Sequence, residues 1–130
     1  MAVDVTPPVA DHAKYIDSYG PGRFKITDQP YEGSVIVFPD RVVSWDVSDP
    51  TKLTLDDFKP VLEATPPVEL LILGCGEKMV LLPQSLRQQL RDKGLPPDFM
   101  DTGAAARTYN ILLTEGRRVA AALIAMPVKD

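Results

Sequence analysis

The 130-residue chain has the length of one domain and an ordinary globular composition, with 45% hydrophobic and 25% charged residues. Its 14 Lys and Arg against 18 Asp and Glu give a net charge of −4, which disfavours a general attraction to nucleic acid or anionic lipid. One Cys and one His exclude a disulfide framework and a zinc site of the usual Cys/His type, and no apolar run approaches the roughly 20 residues of a membrane span. We therefore expect no nucleic-acid partner, no metal and no membrane insertion.

Residues 1–22 are rich in Pro and Gly and are predicted to form an N-terminal arm beside a single domain of residues 23–130. Within the arm, residues 11–19 form either one helical turn or a segment that packs Tyr15 and Ile16 on the domain. The arm resembles neither an export signal nor an organellar presequence, and a lone Cys fits a reducing compartment. We therefore expect a cytoplasmic protein.

From Arg23 the hydrophobic pattern changes to a period of two, which indicates strands. Three strands are predicted near residues 23–27, 31–38 and 41–45, with turns between them. These strands would form a β-meander, and the apolar run at 35–38 places the second of them in the middle.

The second half alternates helical and extended patterns, which is typical of parallel strands joined by crossover helices. Its predicted elements are a helix that Asp57, in preference to Thr54, caps and that ends before Pro66, a buried strand at 68–73, a short extended segment at 79–82, a helix at 83–93, a strand at 98–100, a long helix at 102–115 and a strand at 118–126. The predicted fold is a compact layered α/β domain, an N-terminal β-meander followed by alternating helices and strands in a mixed sheet.

A candidate site lies where the strands at 68–73 and 98–100 end, because the carboxyl ends of neighbouring parallel strands form a crevice. The N–H groups that open the long helix and a cation one turn further along suit an anion there. The alternative is that Asp101 or Thr102 only caps the helix. The candidate ligand-binding residues are Gly74, Gly76, Glu77, Asp101, Thr102, Arg107 and Asn110.

No other residue points to a reaction or a cofactor. Cys75 is better explained as a small buried thiol than as a nucleophile, because its base would have to be His12 in the arm. The glycines around Cys75 lack the third glycine of a dinucleotide-binding turn, since Met79 stands at that position. Trp45 is expected in the core. We therefore predict no catalytic residue and no cofactor.

Several segments resemble one family of small domains of unknown function. They are Asp101-Thr102, residues 105–110, 112–113 and 115–117, Val119, residues 120–124 and the strand and turn at 71–77. The family includes a mitochondrial assembly factor for respiratory complex I and an animal protein linked to adipogenesis. The resemblance covers about residues 23–126 and implies a layered α/β fold without established enzymatic activity. Because the complex I member binds other assembly proteins, the resemblance also implies an unidentified protein partner. The missing presequence favours a bacterial relative.

Two hypotheses of function follow. The first is a non-enzymatic protein-interaction or assembly module that uses the polar side of the long helix, including Arg107 and Asn110. The second is a small-molecule or anion-binding protein, including an unrecognised enzyme, that uses the crevice at 74–77 and 101–107. An exposed edge strand in a small β-rich domain is also compatible with a homodimer.

Overall fold

The computed structural model describes residues 13–128, which form eight strands, three α-helices and two short 3₁₀ turns. The strands are β1 (Ile16–Gly20), β2 (Arg23–Ile26), β3 (Gln29–Glu32), β4 (Val35–Val37), β5 (Val42–Ser44), β6 (Leu70–Gly74), β7 (Pro97–Met100) and β8 (Val119–Leu123). The α-helices are α1 (Lys59–Leu62), α2 (Gln84–Asp92) and α3 (Thr102–Thr114), and the 3₁₀ turns are Pro50–Lys52 and Leu55–Phe58.

A five-stranded mixed sheet in the order β5-β4-β8-β6-β7 forms the centre of the molecule. Its middle strand β8 is entirely buried, runs antiparallel to β4 and runs parallel to β6. Strand β7 is parallel to β6, and α2 is the crossover between them, as the alternation of the second half predicted. Gly74 at the end of β6 faces both Met100 of β7 and Leu123 of β8, so these three strand ends lie at the same edge.

Two apolar cores cover the two faces of this sheet. On one face, the segment of the two 3₁₀ turns together with α1 and α2 contributes Leu53, Phe58, Val61, Leu86 and Leu90. On the other face α3 packs together with a second, three-stranded antiparallel sheet in the order β1-β2-β3. Alternation along β8 divides its residues between the cores, because Ala120 and Ala122 belong to the first and Ala121 and Leu123 to the second. The mixed, layered α/β fold is therefore confirmed.

An N-terminal β-meander is present as β1-β2-β3, but it does not consist of the three strands predicted for it. The predicted strand at 31–38 is two strands in different sheets, β3 in the three-stranded sheet and β4 in the five-stranded one. The chain changes sheet at Gly33, whose φ of +80° is costly for residues with a side chain. Pro30 lies in β3, an edge strand of its sheet, where a missing N–H is tolerated.

Strand β1 was not predicted, because residues 16–20 were assigned to an irregular arm or a helical turn. Ile16 is buried and pairs with Ile26 of β2, so this part of the chain completes the three-stranded sheet. Residues 1–12 and 129–130 lie outside the described residues, and the division into an arm and one domain stays a prediction.

One smaller prediction in the second half also differs from the structure. Asp57 does not cap the helix, because its carboxylate accepts the Thr54 N–H at 2.8 Å inside a 3₁₀ turn that precedes α1 and whose N-cap is Thr54. The short extended segment at 79–82 belongs to no helix or strand of the structure. Among residues 13–128, no helix combines the length and the apolar character that crossing a membrane requires.

Candidate interaction site along helix α3

Helix α3 begins directly after β7, at the sheet edge where the candidate site was predicted. Asp101 is its N-cap, and the Asp101 carboxylate accepts a hydrogen bond from the Ala104 N–H at 2.8 Å. This bond satisfies one of the backbone donors that every helix start leaves unpaired. The capping role considered for Asp101 is therefore confirmed.

Thr102 joins the two predicted turns from a completely buried position. The Thr102 hydroxyl donates to the carbonyl of Ile124 at 2.7 Å and accepts from the Gly76 N–H at 2.9 Å. The Thr102 N–H also donates to the Gly76 carbonyl at 2.9 Å. We call these three residues the Thr102 junction. It links the turn after β6, the start of α3 and the end of β8.

Gly74 is buried beside this junction, and it has no room for a side chain. A Cβ at Gly74 would lie 3.0 Å from both the Thr102 backbone and the Leu123 side chain. Glu77 is exposed on the outer side of the same turn. The structure therefore brings the 74–77 and 101–103 turns together, but it closes the space between them with Thr102. Ligand binding by this crevice stays a prediction.

Cys75 and Trp45 are parts of the core rather than of a site. The Cys75 thiol donates to the Val80 carbonyl at 3.7 Å, and burial raises the pKa of this thiol, which disfavours the reactive thiolate. The Trp45 indole N–H donates to the Asp57 carbonyl at 2.7 Å, and its ring centroid lies 5.7 Å from that of Phe58. The proposed base His12 lies outside the described residues.

About two turns beyond its start, α3 lies against β1. The Asn110 carboxamide pairs with the backbone of Ile16, accepting the Ile16 N–H at 3.0 Å and donating to the Ile16 carbonyl at 2.8 Å. The Tyr109 hydroxyl donates to the Lys14 carbonyl at 2.9 Å. Asn110 was expected on an exposed polar surface, but it is half-buried because β1 packs against it. Its amide groups hold β1 on the helix.

An open groove of about 380 Å³ runs between β1 and α3. We call it the α3 groove, and its lining residues are Ile16, Asp17, Ser18, Tyr19, Ala106, Arg107 and Asn110. Tyr19 lines the groove and packs against Gly103 so closely that its hydroxyl leaves no room for a Cβ there. Arg107 is exposed on its wall, and within residues 13–128 the Arg107 side chain makes no hydrogen bond or ion pair.

The β1 side of the groove was missed by sequence reasoning. Gly20-Pro21-Gly22 is a turn signal directly before the β2 strand pattern, and such a turn between extended segments indicates a hairpin. Three consecutive residues of this strand are exposed, namely Asp17, Ser18 and Tyr19. They break the alternation of apolar and polar residues that indicates a half-buried strand, so the strand was not predicted.

Comparison with known proteins gives relatives that match most of this chain. A family model described as a protein of unknown function (DUF498/DUF598) matches residues 16–124. An uncharacterised protein of Rhodobacter capsulatus is 37% identical over 112 residues, which cover 86% of this chain and 85% of the relative. Human NADH dehydrogenase (ubiquinone) 1 alpha subcomplex assembly factor 3 is 34% identical over 118 residues, which cover 91% of this chain but 64% of the human protein.

The fold also matches a solved structure. The crystal structure of a protein from Bartonella henselae, described as an outer membrane protein, aligns with a TM-score of 0.80 at 40% identity. The alignment covers 88% of this chain and 96% of that protein. A cytoplasmic location of the present chain stays a prediction. The resemblance seen in the sequence is confirmed, and the chain belongs to the DUF498/DUF598 family of proteins of unknown function.

Proposed function

We propose that this protein is a non-enzymatic interaction module that helps other proteins assemble, and that a partner protein binds in the α3 groove. The observation that carries this proposal is the Arg107 guanidinium, which is exposed on the groove wall without a partner among residues 13–128. By contrast, the polar atoms of the neighbouring Thr102 junction are bonded within the protein.

The chemistry of the groove suits a protein surface. A guanidinium offers five N–H donors in a planar fork, which a carboxylate of a partner accepts in pairs. Two exposed side chains with apolar surface are neighbours of Arg107. Tyr19 is 41% exposed and lines the groove together with Arg107, and Ile111 is 61% exposed and lies one helical turn after Arg107 on α3. Tyr and Arg are among the residue types enriched at the positions that contribute most to binding energy in protein interfaces.

The contact between Asn110 and β1 favours a partner that docks its side chains in the groove over a partner that adds a strand to the edge of β1. Strand β1 lies at the edge of its sheet, where a free edge often pairs with another strand. At Ile16, however, the Asn110 carboxamide already occupies both the N–H and the carbonyl. We infer that a partner reaches the groove with side chains, among them a carboxylate for Arg107.

The human relative named above supports an assembly role in general form. It is called an assembly factor of an NADH dehydrogenase subcomplex, and it shares 34% of aligned residues with this chain. Because the matched part covers 64% of that protein, we carry over the assembly role but not the identity of the complex.

Photo-cross-linking in the cells of origin tests the proposal. A photoreactive amino acid at position 107 should give a discrete protein adduct, whereas the same amino acid at position 91 should not. Arg91 is the matched control, because it is an exposed arginine in α2, outside the α3 groove.

No adduct at position 107, or the same adducts at both positions, would contradict a specific partner in this groove. A small-molecule function would instead show as thermal stabilisation of the protein by phosphates, nucleotides or carboxylates, because a ligand of the native state raises apparent stability.

A further inference from the structure

A second groove lies at the other end of the five-stranded sheet from the Thr102 junction. Residues 38–41 follow β4, residues 66–68 precede β6 and Arg118 precedes β8. Since β6 and β8 are parallel and β4 is antiparallel to β8, these segments meet at one edge. They enclose about 210 Å³, and the lining residues are Phe38, Pro39, Asp40, Arg41, Pro66, Val68 and Arg118. We call this the arginine groove.

We propose that the arginine groove binds an acidic peptide segment of a partner protein. One apolar side chain of the segment enters the groove, and neighbouring carboxylates bind Arg41 and Arg118. This surface is separate from the α3 groove, so the inference does not rest on the function proposed above.

The size of the groove and its apolar floor favour a single apolar side chain of a bound peptide as the group that enters it. Phe38 and Val68 supply an apolar floor, and two prolines extend it. Pockets for whole small molecules usually enclose about 300–1,000 Å³. The arginine groove is smaller than that, so it suits one side chain that protrudes from a peptide.

The two arginines are held at the rim of the groove, and each keeps N–H donors that can bind another molecule. The Arg41 Cζ atom lies 3.9 Å from the centroid of the Phe38 ring, a cation–π contact that keeps Arg41 above the floor. The Arg118 Nε–H donates to the Pro67 carbonyl at 2.9 Å. That bond fixes the guanidinium and leaves its terminal nitrogen atoms without a partner among residues 13–128.

The charge at the groove is complementary to an acidic segment. Among residues 13–128, Asp40 is the only acidic residue that lines the groove, and its carboxylate lies 3.1 Å from Arg41 in an exposed pair. The nearby Glu69 carboxylate accepts the backbone N–H of Arg118 and lies 3.9 Å from Arg117. That hydrogen bond is the main cause of the lowered pKa of Glu69, and the charge of Arg118 contributes to it, but within the part of the chain that the structure describes the two side chains form no salt bridge. The groove is therefore locally positive in a chain with a net charge of −4. Because the whole chain repels an acidic segment, the two arginines must provide the attraction.

Fluorescence anisotropy with the full chain tests the proposal. The probe is a fluorescein-labelled heptapeptide of alternating Glu and Asp with a central Phe. One control peptide carries Gln and Asn in place of the acids, and another carries Gly in place of Phe. The variant is Arg118→Gln, with Arg91→Gln as the matched control on α2. Circular dichroism verifies that both variants are folded.

The acidic Phe peptide should bind the wild-type chain and Arg91→Gln equally, and Arg118→Gln about tenfold more weakly, as expected for the loss of a charged hydrogen bond. Both control peptides should bind more weakly than the acidic Phe peptide. Equal binding by Arg118→Gln and Arg91→Gln, equal binding of the Gln/Asn peptide or no binding of any peptide would overturn the proposal. A wild-type dimer that Arg118→Gln converts to a monomer would also overturn it, because a second copy would then occupy the groove.

Discussion

The start of helix α3 and the turn that follows it were predicted to form one site, yet they differ in how their polar groups are bonded. At the start, the Thr102 hydroxyl is buried and bonds two backbone groups of other elements. At Arg107 the side chain is exposed and makes no polar contact within residues 13–128. A buried polar group with all its partners in the protein stabilises the fold, whereas an exposed guanidinium without one is available to another molecule.

The largest expected effect is on the Thr102 junction. Thr102→Val keeps the shape of the side chain but removes the hydroxyl, which leaves the Gly76 N–H and the Ile124 carbonyl buried without this partner. Each unsatisfied group costs about 1–3 kcal/mol, so we expect the free energy of unfolding to fall by about 2–5 kcal/mol. Urea unfolding measures this loss.

Thr108→Val is the matched control for this change. Thr108 is half-buried on the same helix, and within the described part of the chain its hydroxyl hydrogen-bonds only the Met100 sulfur, at 3.6 Å. We expect this substitution to cost less than about 1 kcal/mol. If both valine variants lost the same stability, the Thr102 junction would have no special role in the fold.

A smaller effect is expected where α3 holds β1. Asn110→Ala removes both bonds to the Ile16 backbone, so we expect a loss of about 1–2 kcal/mol and faster amide hydrogen exchange at Ile16. Gln88→Ala is the control, because the Gln88 carboxamide is exposed on α2 and, among residues 13–128, bonds only Asp92. Unchanged exchange at Ile16 would show that β1 does not depend on Asn110.

The smallest effect on stability is expected at Arg107. Arg107→Glu alters an exposed side chain without polar contacts among residues 13–128, so the free energy of unfolding should change by no more than about 0.5 kcal/mol. Arg91→Glu on α2 is the control for charge reversal. A loss of several kcal/mol would show that Arg107 stabilises the fold, and the contrast with Thr102 would disappear.

The sequence predicts the elements of the second half well, because the signals are local. The apolar run before Gly74 indicates β6, and Asp101 marks the start of α3. Alternating helices and strands also predict that parallel strands end at one edge, which is why the turns at 74–77 and 101–103 were expected to meet. The burial of Thr102 was not predictable in this way, because it depends on a hydrogen bond to Ile124. Ile124 follows β8 and is separated from Thr102 in the chain by the whole length of α3.

The first half shows that a local sequence pattern does not reveal which strands pair with each other. Residues 31–38 show a continuous strand pattern, but its two parts pair with different partners, β2 and β8. The contact between Ile16 and Asn110 joins residues 94 positions apart, so a helical wheel places Asn110 on a polar face without showing what covers that face. Strand pairing over such distances decides which polar residues are buried, and therefore where the open groove lies.

The most direct test measures how much partner protein each folded molecule of Arg107→Glu retains. Thr102→Val is measured in the same way, under conditions below its unfolding transition, where it is still folded. We predict that Arg107→Glu loses the partner while its unfolding midpoint matches that of the wild type, and that Thr102→Val retains the partner despite its lower midpoint. Retention of the partner by Arg107→Glu together with its loss from folded Thr102→Val would contradict the account.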